Sequence, residues 1–292
     1  MSSIAFLGLG NMGGPMAANL VKAGRRVIGY DPDAAACERA RAIGVEIAPS
    51  AIAACESAEG IITMLPAGAH VLACWAEILP HARQGSLFID CSTIEVESAR
   101  SAHADGAKRG MACLDAPVSG GVGGATGATL TFMVGGDATA FARAMPLLEI
   151  MGKRIVHCGG AGAGQAAKIC NNMILGVTMI ATCEGFLLAE KLGLSAQALF
   201  DVASNSSGQS WSLTSYCPVP GPVPASPANH GYKPGFSAAL MSKDLRLSQL
   251  AAELNGAHTP MGAHAAALYE EMLQKGRAGE DFSAIIEMLR GI

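Results

Sequence analysis

One lysine stands out in this chain because of its neighbours. Lys168 lies in Gln165-Ala166-Ala167-Lys168-Ile169-Cys170-Asn171-Asn172, where the surrounding residues are small or apolar for many positions. Burying an ammonium is costly unless it is paired, so such a lysine either snorkels to water or has a chemical task. Asn172 follows four residues on, which puts it on the same face of a helix. A Lys/Asn pair aimed into a crevice can hold a hydroxyl or carbonyl oxygen. The lysine can take a proton from that oxygen during oxidation and return one during reduction, and partial burial favours the neutral amine that a base requires.

Two glycine-rich segments could hold anions. Ser119-Gly120-Gly121 offers a hydroxyl and unobstructed backbone N–H groups, a composition suited to a substrate carboxylate and equally to an ordinary glycine turn. Gly8-Leu9-Gly10-Asn11-Met12-Gly13 fits G-x-G-x-x-G. The pattern alone is weak, but here it follows an apolar strand and precedes a helical pattern. Gly8 would permit the tight turn, Gly10 the approach of a pyrophosphate, and Gly13 close packing of helix on strand. The helix N-terminus would then face the phosphates. A second strand ends at Asp31, near the spacing expected of the carboxylate that binds an adenosine ribose. Asp31 would repel a 2′-phosphate, and Pro32 and Asp33 supply no cation for one, so NAD is expected over NADP. Leu65-Pro66, Ser92-Thr93 and Ser119-Gly120-Gly121 come at later strand ends that should reach the same crevice, with Leu65, Pro66 and His70 near the adenosine side or the pyrophosphate. His70 reads equally well as a helix-surface histidine. Lys243, in Met241-Ser242-Lys243-Asp244-Leu245, could on its own be any helix lysine.

These residues need a scaffold, and the hydrophobic pattern supplies one. Strands are expected at Ile4–Leu7, Val27–Tyr30, Val45–Ala48, Gly60–Leu65, Ser86–Asp90, Met111–Asp115, Thr129–Val134 and Arg154–His157, alternating with helix-like periods. Such alternation means an α/β fold with a Rossmann-type, doubly wound parallel sheet. The texture changes at Gly159–Gly164, a hinge-like run followed by one long helical pattern from about Gln165 to Leu192. Beyond it no strand is expected. The expected division is therefore residues 1–161, a dinucleotide-binding domain, and residues 162–292, an all-α domain for substrate and oligomer contacts joined by the long helix. Six prolines between Cys217 and Gly235 exclude regular structure there. An ordered surface loop is expected, anchored by Tyr216, Tyr232 and Phe236.

Bulk properties narrow the partners. The 292 residues are half apolar and only 15% charged, with a net charge of −4. An oligomer interface is plausible on that composition. No basic block points to nucleic acid or an acidic membrane surface, and no 18-residue run is continuously apolar. The opening residues lack a signal-peptide pattern. Nine cysteines fall in no C-x-x-C pair and at no metal-ligand spacing, so no metal is expected, and buried thiols in a reducing cytoplasm are.

Four ordered segments carry a resemblance. Phe6 to Ala17, Asp115 to Gly121, Gly162 to Asn172 and Lys243-Asp244-Leu245 resemble the motifs of the β-hydroxyacid dehydrogenases, over nearly the whole chain. The resemblance implies Lys168 as acid/base, Asn172 as its substrate-orienting partner, Ser119, Gly120 and Gly121 as the carboxylate site, and Thr93 and Lys243 as cofactor contacts. It implies a homodimer or homotetramer. The later segments, from Trp211 through Tyr232-Lys233-Pro234-Gly235-Phe236 to Asp281-Phe282-Ser283, are most similar to members that oxidise 3-hydroxyisobutyrate to methylmalonate semialdehyde in valine degradation. Trp211 and Phe236 would line the apolar side of the substrate, or else anchor the loop. Serine, 3-hydroxypropionate and tartronate semialdehyde are the alternative substrates. A non-catalytic NAD-binding module is the alternative class, and it would be expected to lack Lys168.

Overall fold

The computed structural model describes residues 3–291. Met1, Ser2 and Ile292 lie outside the described residues, and with them part of the signal-peptide expectation. The chain forms two compact units, Met1–Lys168 and Ile169–Ile292.

In the first unit, strands and helices alternate: β1 (Ser3–Leu7), α1 (Gly13–Lys22), β2 (Arg26–Tyr30), α2 (Ala34–Arg41), β3 (Glu46–Ile47), α3 (Ala51–Cys55), β4 (Ala58–Thr63), α4 (Gly68–Ile78), β5 (Leu87–Asp90), α5 (Val96–Lys108), β6 (Ala112–Asp115), β7 (Val118–Ser119), α6 (Gly121–Thr126), β8 (Leu130–Gly136), α7 (Ala138–Met151) and β9 (Gly152–Gly159). The order β3-β2-β1-β4-β5-β6 is parallel throughout. Both faces of the sheet are covered, as parallel sheets require. Ile4 and Phe6 of β1 enter one apolar cluster with Met16 and Leu20. Ala5 and Leu7 enter the other with Val71 and Trp75. This two-sided burial explains why the strands read as continuous apolar runs.

The sheet departs from the expected all-parallel pattern at one place. β8 runs antiparallel to β6 and β7, while β9 pairs parallel to β8. β6 and β7 share one register against β8 and are separated only by Ala116-Pro117, and Pro117 still accepts a hydrogen bond from Met133 N through its carbonyl. Proline has no N–H to continue the ladder, so one strand is split in two, and the two-residue β7 was not legible in the sequence. Expected strand ends also differ: β4 stops at Thr63, leaving Leu65 in the loop before α4.

Helix α8 (Ala163–Lys191) begins in the first unit and continues in the second. Its length and hydropathy would satisfy a membrane span, although it contains no unbroken apolar run of that length. Its buried Gln165 and Asn172 both have protein partners, the mark of a helix that packs within protein.

The second unit adds α9 (Ala196–Ala203), α10 (Trp211–Thr214), a 3-10 turn (Pro227–His230), α11 (Ala238–Leu254), α12 (Pro260–Gln274), a second 3-10 turn (Phe282–Ala284) and α13 (Ile285–Arg290). Met179, Cys183 and Phe186 of α8 pack with Met241, Leu245 and Tyr269. The Pro-rich segment is less superficial than expected. It holds the 3-10 turn at Pro227–His230, with proline in the first turn where no N–H is needed, and Cys217, Val219 and Ser226 are buried. Its anchor is Asp281, fully buried. That carboxylate accepts hydrogen bonds from Tyr216 Oη at 2.8 Å, Gly235 N at 3.0 Å, Phe236 N at 3.2 Å and Ser283 Oγ at 2.7 Å. Tyr232 Oη donates to the Pro218 carbonyl at 2.8 Å.

Candidate functional site

The glycine turn fits a dinucleotide. Gly8 has φ +94°, and a Cβ there would lie 2.2 Å from the Met64 carbonyl oxygen. At Gly13 a Cβ would lie 1.9 Å from the Gly8 carbonyl oxygen. At Gly10 it would meet nothing within 4 Å. The first and third glycines thus serve the turn and its packing, while the middle one opens backbone to an approaching group. Met12 precedes α1 without any side-chain cap, so no side chain of the cap residue competes for the helix N-terminus. Leu9 N donates to Asp31 Oδ2 at 2.7 Å and Asp33 N to Oδ1 at 2.8 Å. The end of β2 is thereby tied to the turn, and each Asp31 oxygen retains acceptor capacity. The sequence reading found no cation here, but the structure supplies one. Arg39 Nη2 lies 3.8 Å from Asp33 Oδ2, with both side chains largely exposed.

A cavity of about 420 Å³ runs from this turn to α6, lined in part by Gly10, Asn11, Arg39 and Val122, while Ser119, Gly120 and Gly121 are not among its lining residues. Asn19 of α1 holds the two together, donating to the Ala125 carbonyl at 2.7 Å. Gly120 and Gly121 have φ values of +136° and +60°, and Ser119 before them is half-buried.

Just before Thr93 in the chain, Asp90 forms a buried polar group that the sequence reading missed. Asp90 Oδ1 accepts from Thr63 Oγ1 at 2.7 Å and Ser92 Oγ at 2.6 Å, while its Oδ2 has no hydrogen-bond partner. Ser92 Oγ accepts in turn from Leu65 N at 2.8 Å, so the Leu65 amide is already engaged. Burial pushes the Asp90 carboxyl up to about 6, against the lowering by its Ser92 and Thr63 donors. Pro66 and His70 are exposed, His70 on α4.

Lys168 is 6% exposed. The turn that carries it is held from below. Asp115, itself 1% exposed, accepts from Gly162 N at 2.8 Å and Gln165 N at 2.9 Å. His103 Nε2 lies 3.1 Å from Asp115 Oδ1, in ion-pair range but off the direction of a hydrogen bond. Gln165 donates to the Ser92 carbonyl at 2.7 Å and accepts from Ile94 N at 3.1 Å. Asp115 sat inside a recognised motif, but nothing in the sequence showed that it reaches α8.

In the second unit Asn172 and Lys243 are gathered by Asp244, which the sequence reading did not single out. Asn172 Nδ2 donates to Asp244 Oδ2 at 2.5 Å. Lys243 Nζ stands 3.4 Å from Asp244 Oδ1. Asn171 Nδ2 donates to Asn172 Oδ1 at 3.0 Å, which leaves the Asn172 amide one hydrogen and one lone pair. Trp211 is exposed and stacks on Tyr216 at 5.0 Å, and Phe236 meets Phe282 edge-on at 5.7 Å. Both belong to the aromatic row that closes the Pro-rich loop. The cysteines form no disulfide among the described residues. Contrary to expectation not all are buried, since Cys170 is exposed and Cys74 and Cys158 are half-buried.

Comparison with known proteins adds the class. Residues 3–160 match the family model of the NAD binding domain of 6-phosphogluconate dehydrogenase, and residues 162–289 that of the NAD-binding of NADP-dependent 3-hydroxyisobutyrate dehydrogenase. The 3-hydroxyisobutyrate dehydrogenase of Pseudomonas aeruginosa is 49% identical, with 100% of this chain and 99% of that protein covered. An NAD-dependent L-serine dehydrogenase from the same organism is 47% identical, covering 98% and 97%. The structure of Mycobacterium tuberculosis 3-hydroxyisobutyrate dehydrogenase, described with L-serine, superimposes with a TM-score of 0.97 at 56% identity, covering 99% of both chains. The fold and its glycine turn are those of an NAD-binding oxidoreductase. The chain belongs to the 3-hydroxyisobutyrate dehydrogenase family of β-hydroxyacid dehydrogenases.

The buried carboxyl has a measurable signature. The unfolded chain releases the Asp90 proton near the ordinary carboxylate value, whereas the native protein keeps it to about pH 6. Native protein thus binds more protons in that window, and its contribution to stability declines as pH rises from roughly 4 to 6. Asp90→Asn should flatten that decline by on the order of 2 kcal/mol. Urea unfolding of both proteins across the window checks it; parallel curves would contradict the assignment.

Proposed function

We propose that this protein oxidises 3-hydroxyisobutyrate to methylmalonate semialdehyde with NAD, as a step of valine degradation. The carrying observation is Lys168, a lysine buried to 6% exposure in the first turns of a helix whose start is fixed by Asp115 and Gln165. Bound at the Gly8–Gly13 turn and Asp31, the nicotinamide cofactor supplies the hydride acceptor. The substrate is a primary alcohol, and its oxidation removes a hydride from carbon and a proton from oxygen. Lys168 Nζ takes that proton. Asn172 uses its remaining amide hydrogen to orient the substrate oxygen, and Asp244 fixes the amide for that task. Ser119 and the N–H groups of Gly120 and Gly121 hold the carboxylate, which sets the carbon that reacts. Thr93, Leu65 and Pro66 flank the cofactor from the segments after β5 and β4 and His70 from α4, and Lys243 contributes a cation beside Asp244. Trp211 and Phe236 give the substrate methyl an apolar edge.

A second reading has its own support. One relative is named an L-serine dehydrogenase, and the superimposed mycobacterial structure is described with L-serine. Serine offers the same primary alcohol, with an ammonium where 3-hydroxyisobutyrate has a methyl. Comparing kcat/KM for 3-hydroxyisobutyrate, L-serine, 3-hydroxypropionate and glycerate decides between them, and higher specificity for serine would displace the first reading. Positioned proton transfer contributes about 10²–10⁴-fold. Lys168→Ala should therefore lose at least that order in kcat while binding NADH nearly normally; near-normal turnover would remove the mechanism.

Asp31 sets the preference for NAD in this reading, and Arg39 makes the test informative. Asp31→Ala should shift the ratio of kcat/KM for NAD over NADP toward NADP by about tenfold, equivalent to ~1.4 kcal/mol. An unchanged ratio would show that Asp31 is not the selector. The working form is a homodimer or homotetramer. Ile174, Leu188, Leu192, Val202 and Leu254 of the second unit each expose more than 60% of their surface, an apolar load that self-association would cover. Light scattering at micromolar concentration should return a multiple of the chain mass of 29.7 kDa; a monomer would refute this.

A further inference from the structure

We propose that Gln165 is a positioning residue for the oxidation, a brace that fixes the Thr93 loop relative to Lys168; the proposal rests on Lys168 acting as the base. Gln165 is fully buried, and both ends of its amide are used. Nε2 donates to the Ser92 carbonyl at 2.7 Å and Oε1 accepts from Ile94 N at 3.1 Å. The two contacts bracket Thr93 on either side. An amide places a donor for the carbonyl and an acceptor for the N–H on separate atoms of one plane, and Asn is one methylene shorter.

The backbone of the same residue reaches the other neighbour, since Gln165 N donates to Asp115 Oδ2 at 2.9 Å. Asp115 ends β6, four residues before Ser119, and its second oxygen accepts from Gly162 N. Room for this contact is made by two glycines. A Cβ at Gly135 would lie 2.5 Å from Asp115 Oδ1, and one at Gly164 would lie 2.3 Å from the Met133 carbonyl oxygen. One residue therefore joins the β5–α5 loop, the end of β6 and the first turn of α8. Lys168 follows three residues later, a neighbour of Gln165 on the helix surface. Each binding segment keeps its own donors and acceptors if the brace is cut. What is lost is the fixed separation between the loop that flanks the cofactor and the amine that takes the proton. A misplacement of about 1 Å can cost roughly 10²-fold in rate.

The test uses the full-length protein with Gln165→Met, which keeps the length and removes both hydrogen bonds, and Gln165→Leu, which removes both with a shorter apolar side chain. The substrate is the faster of 3-hydroxyisobutyrate and L-serine, with and without deuterium on the hydroxymethyl carbon. The expected result is a 10–100-fold fall in kcat, with NADH dissociation constant and substrate KM within threefold of wild type and a larger deuterium isotope effect on kcat. A purely structural role would lower the fraction of protein that binds NADH and leave the isotope effect unchanged; that outcome overturns the brace. So does a kcat within twofold of wild type in either folded variant. If Gln165→Met does not fold, Gln165→Leu is judged by the same criteria. Lys168→Ala runs alongside. Normal turnover there overturns the underlying reading, whereas its inactivity beside a fully active Gln165→Met overturns the brace alone.

Discussion

The structure of the first unit depends on one buried anion. Asp115 is removed from water, where an isolated carboxylate would be heavily penalised. Two backbone N–H groups at the start of α8 offset that cost, together with the partial positive charge of the helix N-terminus. Hydrogen bonds to a charged group contribute about 1.5–3 kcal/mol each, so the contact holds α8 at a defined height on the end of the sheet. Lys168, in the first turns of that helix, inherits the placement.

The approach is close because the chain removes side chains where backbones meet. Gly8, Gly13, Gly135 and Gly164 stand where a Cβ would fall within 2.6 Å of a neighbouring atom. Gly10 is the exception, with open space before it. Steric crowding at four positions and its absence at a fifth distinguish packing glycines from the one that faces outward. The same economy lets the Ser119 segment follow directly from the strand that carries Asp115, with Pro117 ending the ladder between them.

The second unit repeats the device with different chemistry. Asp281 is a buried carboxylate satisfied by a tyrosine, two loop amides and a serine. It closes a Pro-rich segment that lacks regular backbone pairing. The row Trp211, Tyr216, Phe282 and Phe236 then packs over it at ring separations of 5.0–5.7 Å. Asp244 does the corresponding work for Asn172 and Lys243. Three acids, at 115, 244 and 281, organise the polar interior, and each lies within a motif whose resemblance was visible before its partners were.

What the sequence determined by itself was local and periodic. Continuous apolar runs marked strands buried on both faces, helical spacing marked α1 and α8, and the glycine pattern marked the turn between β1 and α1. Lys168 was conspicuous because a charge among alanines is expensive. What only the tertiary structure decided was pairing across long separations. The reach of Asp115 to Gly162, of Gln165 to Ser92 and of Asn172 to Asp244 spans 47 to 73 residues. Hydrogen bonds of that kind leave no period and no spacing in the chain. The reversal of β8 was hidden for the same reason, because a strand's pattern records which faces are buried and not the direction of its neighbour.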